Sequence, residues 1–73
     1  MYQLWKVKNT IVNGVDRWDE SQLCERNYVN DVKSWAEKHL LIDPSEWKQI
    51  EDSEWYYNLD TDPRSYCLIE WNN

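Results

Sequence analysis

The sequence predicts an α+β fold: a small antiparallel sheet of four to five strands with one helix packed on one face. Three observations predict it. Alternating polar and apolar runs bounded by turn residues occupy both ends of the chain, and one stretch of helical period lies between them. The 73 residues hold one glycine and two prolines, which fits a single compact domain, 1–73. A chain of this length buries only roughly 60–65% of its unfolded surface. Large side chains must therefore build the core, and six Trp and five Tyr are present, each covering on the order of 150–250 Å².

Tyr2 to Val12 alternates as a strand, with Trp5, Val7 and Ile11 on one side and Lys6, Lys8 and Thr10 on the other. Asn13-Gly14 is a pair favoured in a two-residue type I′ hairpin turn. With that turn Ile11 faces Asp16, Asn9 faces Trp18, and Trp18 joins the Trp5, Val7 and Ile11 side. Lys6, Lys8 and Arg17 form a basic cluster on the outer side. Asp19 to Asn27 is polar without a clear period and reads as a connection with room for a short helical turn.

Val32, Trp35, Ala36, His39 and Leu40 then recur at the spacing of one buried helix face. Asn30 or Asn27 suits the start as a cap, Asp31 the first turn, and Lys38 and His39 the last. Pro44 stops the helix, because Asp43 before it is pushed out of helical geometry. Trp47 to Ile50 reads as a short strand, Glu51-Asp52-Ser53 as an acidic turn, and Glu54 onward as a longer strand. Asp60 to Arg64 is a five-residue loop, and Ser65 to Trp71 is the last strand.

That loop length sets Leu59 opposite Ser65 and so fixes the register of the terminal hairpin. One face is then Trp55, Tyr57, Leu59, Cys67, Ile69 and Trp71, apolar enough to lie under the helix. The other is Glu54, Tyr56, Asn58, Tyr66, Leu68 and Glu70, with Tyr56 opposite Leu68 and Glu54 opposite Glu70. Tyr56, Tyr66 and Leu68 form an exposed patch rimmed by carboxylates, the usual make-up of a protein interface.

Charge sharpens this reading. The formal net charge is −6. Residues 1–40 balance six acids against six bases, whereas residues 41–73 set eight acids against Lys48 and Arg64. Such an asymmetry repels nucleic acid and membrane surfaces and attracts basic proteins.

Catalytic and ligand chemistry finds little footing. The one histidine, His39, lies on the helix stripe as a structural residue and is the only base available to Cys24 or Cys67. Those three lack the close pairing of a zinc site, and the acids at 51–54 and 60–62 lack EF-hand spacing. Gly14 is the only glycine, so there is no phosphate-cradling loop. No metal, cofactor or enzymatic activity is expected. Nor is direct nucleic-acid binding, since base-stacking platforms need a positive groove.

The two cysteines read as reduced, buried thiols. No apolar run approaches the roughly 20 residues of a membrane span, and Met1 leads straight into an amphipathic strand, so the chain is expected in the cytoplasm.

In size, charge and layout the chain resembles the small inhibitors carried by phages and mobile elements: anti-CRISPR proteins, RNA polymerase inhibitors and DNA-mimicking anti-restriction proteins. The resemblance implies a stoichiometric inhibitor, a monomer or weak homodimer, that occupies the basic nucleic-acid channel of a host machine. Tyr56, Tyr66 and Leu68 are then its anchors, and Glu54, Asp60, Asp62 and Glu70 pair Lys or Arg of the partner. Eight acids in the second half suffice for a local patch and are thin for a long duplex imitation. An immunity protein or antitoxin capping a basic toxin, and a cellular adaptor domain, are the alternatives.

Overall fold

A computed structural model describes residues 1–59 and 65–72. Asn13 and Gly14 both take positive φ, 51° and 78°, the left-handed pair that a type I′ turn requires. They join β1 (Tyr2–Val12) to β2 (Val15–Arg26) in the predicted register, with Ile11 opposite Asp16 and Asn9 opposite Trp18. The strand β2 runs through most of the stretch expected to be a connection. Its alternation breaks because Cys24 lies opposite Leu4 while Gln22 lies opposite Trp5, so Leu23 is an extra residue in a bulge. The bulge keeps Cys24 on the buried side. Exposure on both faces up to Gln22 removes the apolar alternation that marks a half-buried strand.

The helix α1 (Val29–Leu40) buries Val32 and Ala36 and half-buries Trp35 and Leu40. Its cap is Tyr28 in extended geometry with no side-chain cap bond; the Tyr28 carbonyl accepts from the amides of Asp31 and Val32. Neither expected cap serves: Asn27 precedes the cap position and Asn30 falls inside the first turn. At the far end Leu41 takes left-handed geometry, φ 54°, which costs a non-glycine residue roughly 1–2 kcal/mol. That reversal returns the next residue, Ile42, to the core, and burying such a side chain offsets the strain at about 1.5–3 kcal/mol.

Asp43 is extended before Pro44, as predicted, and its carboxylate accepts from the Ser45 amide (2.9 Å) and hydroxyl (2.8 Å). This caps a single 3-10 turn, Pro44–Glu46, where the sequence reading placed nothing helical; the strand expected from Trp47 starts one residue later as β3 (Lys48–Glu51). The strands β4 (Glu54–Asn58) and β5 (Ser65–Trp71) complete one antiparallel sheet in the order β2-β1-β5-β4-β3. Glu54 lies opposite Glu70 and Tyr56 opposite Leu68, as the loop length predicted, and the Leu59 amide donates to the Ser65 carbonyl at 3.1 Å. The fold is thus α+β, with one helix on one face of a five-stranded sheet. Among the described residues no helix is long and apolar enough to cross a membrane.

The core lies between sheet and helix, where Leu4, Cys24, Val32, Ala36, Ile42, Tyr57, Cys67 and Ile69 cluster. The buried Tyr57 hydroxyl accepts from the Asp43 amide (3.0 Å) and donates to Glu46 (3.4 Å), tying the segment after the helix to β4.

Candidate functional site

Directly opposed residues in a sheet share a face, so the registers assign both faces completely. Under the helix lie Leu4, Ile69 and Trp55 in one row and Lys6, Cys67 and Tyr57 in the next. The opposite, open face has Gln22, Trp5, Leu68, Tyr56 and Lys48 in one row and Glu20, Val7, Tyr66 and Asn58 in the next. No described helix covers it. Along the arm of the first hairpin this face continues through Asn9 and Trp18 to Ile11 and Asp16.

The first hairpin is therefore oriented opposite to the sequence reading. Its alternating apolar side, Trp5, Val7, Ile11 and Trp18, joins the open face, while Lys6, Lys8 and Arg17 are on the side that bears the helix. The pairing of β1 with β5 decides this, because Leu4 lies opposite Ile69 and so faces the core. Trp5 opposite Leu68 then extends the Tyr56, Tyr66 and Leu68 patch across the sheet.

The patch is a ring cluster. Tyr56 and Tyr66 lie 5.1 Å apart between centroids, and Trp18 meets Tyr66 at 6.4 Å. Tyr56, Tyr66 and Leu68, expected to be exposed, are half-buried, because these neighbours and Trp5 shield them. Trp18 is the most prominent of the rings at 55% exposure. Sequence reasoning placed Trp18 on an apolar side and missed its part in the site; its position two residues from both Asp16 and Glu20 was the available signal.

Carboxylates border the rings on two sides. One end row of the open face carries Glu25, Glu70, Glu54 and Glu51, interrupted by Gln3, whose amide donates to Glu25 at 2.9 Å. Glu20 and Asp16 border the β2 side, and Lys48 is the face's one cation among the described strand residues. The helix-bearing side of the sheet holds Lys6, Lys8, Arg17 and Arg26 against Asp19. Over that side the helix and the segment after it add Lys33 and Lys38 together with Asp31, Glu37, Asp43 and Glu46, so acids and bases nearly balance there while the open face is acidic. Two predicted rim residues, Asp60 and Asp62, and the rest of their loop lie outside the described residues.

The groups considered for chemistry are kept apart. His39 is exposed rather than part of the buried stripe: its ring stacks on Trp35 at 4.2 Å, and Nδ1 lies 2.9 Å from the Trp35 carbonyl oxygen. Cys24 and Cys67 are free thiols buried on the helix side. Burial pushes the Cys67 thiol up to about 11, with nearby Lys6 pulling the other way. Burial also raises Cys24, offset in part by Arg26. Both shifts run opposite to the activation of a nucleophilic cysteine. Among the described residues no three His, Cys, Asp or Glu side chains group as metal ligands.

Comparison of the chain with family models, with curated proteins and with solved structures finds no match.

Proposed function

We propose that this chain is a non-catalytic protein-binding inhibitor whose open sheet face engages a basic, nucleic-acid-handling host protein such as a CRISPR effector, an RNA polymerase or a nuclease. One observation carries the reading: a sheet face that no described residues cover, with aromatic rings at its centre and carboxylates along two of its sides, opposite a helix-bearing side where acids and bases nearly balance. A partner with a positive surface is drawn toward the acidic open face more strongly than toward the near-balanced helix side, which speeds and orients the encounter. Trp18, Tyr56, Tyr66 and Leu68 supply the contact area, and Glu54 and Glu70 pair the partner's Lys or Arg at the rim.

Tagged protein incubated with a bacterial lysate at low and high salt tests this. The expected result is capture of a nucleic-acid-processing protein that elutes with salt, and its loss with the Glu54→Lys/Glu70→Lys double variant. Because Glu54 and Glu70 are opposed like charges, that variant should fold as well as the parent. Capture by the double variant with unchanged salt sensitivity would remove the open face from the mechanism.

A further inference from the structure

The edge formed by β2 is long, and no described residues cover it. This strand ends the sheet order, and from Val15 to Gln22 every residue is exposed, so among the described residues nothing packs over this run from either face. Over those eight positions the pairing with β1 is regular, without a bulge, and the run contains no proline. It presents outward N–H and C=O groups in a regular row, a template to which another extended chain adds.

Charge selects the occupant. Asp16, Asp19 and Glu20 outnumber Arg17, which is itself paired to Asp19 at 3.4 Å. A second copy of this edge fits poorly. Directly opposed residues must share a face, so antiparallel self-pairing centres on a single residue. Centring on Asp19 or Glu20 opposes that carboxylate to its own copy, centring on Trp18 opposes Asp16 to Glu20 twice, and centring on Arg17 opposes two guanidinium groups.

We infer that the Val15–Gln22 edge accepts an extended Lys- or Arg-bearing segment of a protein partner as a sixth strand. Asp16, Trp18 and Glu20 share the open face, so an antiparallel segment reads basic, any residue, apolar, any residue, basic on that face. The position opposite Asp19 on the other side stays uncharged, because Arg17 is paired to that carboxylate and Lys8 lies opposite it on β1. The added strand widens the open face beside Trp18, so one partner spans both edge and face. This deepens the proposed function and rests on it for the basic character of the partner.

The synthetic octapeptide TTKTVTKV, laid antiparallel against Gln22 to Val15, tests the edge directly. At low salt it is expected to bind on the order of tenfold more tightly than TTETVTEV and to slow hydrogen exchange of the outward amides of β2. The Asp16→Lys/Glu20→Lys variant is expected to reverse the preference. Equal affinity for the two peptides, or no slowing of β2 exchange at the highest peptide concentration, overturns the edge site. The open-face variant Glu54→Lys/Glu70→Lys separates the two ideas. Peptide failure with lysate capture intact overturns the edge alone; capture by that variant with unchanged salt sensitivity, with peptide binding intact, overturns the open face alone.

Discussion

The two faces of this sheet draw on similar apolar side chains and put them to different use. On the helix side Leu4, Cys67 and Ile69 are fully sealed, and Val32 and Ala36 of α1 close over them. On the open side Val7 alone among the named apolar residues is buried, Trp5, Tyr56, Tyr66 and Leu68 are half-buried, and Trp18 stands out. Apolar residues in neighbouring positions of β5 thus differ in kind: Ile69 is core, and Leu68 is partly shielded surface. Among the described residues there is one α-helix with which to cover the sheet. The face left uncovered is where aromatic rings shield one another and where charge collects.

Substitution at Ile69 and Leu68 gives the largest contrast. Ile69→Ala is expected to cost about 2–5 kcal/mol, a large share of the stability of so small a domain, whereas Leu68→Ala should cost less than about 2 kcal/mol. Chemical denaturation of the two variants reads this directly, and equal costs would break the distinction between the faces.

Trp18→Ala is expected to lower partner affinity by on the order of tenfold to a hundredfold while changing the unfolding free energy by less than about 1 kcal/mol. A titration set beside a melt sharpens the comparison. A large stability loss would make Trp18 a structural residue.

Tyr57→Phe removes the acceptor for the Asp43 amide and the donor to Glu46. The expected cost is about 1–2 kcal/mol, with faster exchange of the Asp43 amide and no effect on binding at the open face.

A pH dependence is also expected from the helix side. The Cys67 thiol has a folded value of about 11 against an ordinary 9.0, because burial disfavours the thiolate. Its contribution is therefore fully present below pH 9 and is lost as the pH rises through about 11, since the unfolded chain releases the proton first. Unfolding curves at pH 8 and pH 10.5 should show a steeper loss in the parent than in Cys67→Ala, and identical slopes would refute it.

Local sequence determined a good deal. Asn13-Gly14 fixed the first hairpin and its register, because few residue pairs accept positive φ twice in succession. The alternation of β4 and β5 separated Ile69 and Trp55 from Tyr56 and Leu68, because side chains on a strand reverse sides at each step. The helix stripe was equally legible, except that His39 turned outward onto Trp35.

Tertiary structure decided what these local patterns leave open. Alternation gives the first hairpin two sides without saying which one meets the helix. The pairing of Leu4 with Ile69, from opposite ends of the chain, settled that and brought Trp18 to Tyr66. The Leu23 bulge reset which β2 residues face the core, and no local signal marked it. Charge followed the same logic: sequence order sets the balance of each half, but a sheet interleaves strands from both halves. Only the strand order placed Asp16, Glu20 and Glu25 of the first half on the same face as Glu54 and Glu70 of the second.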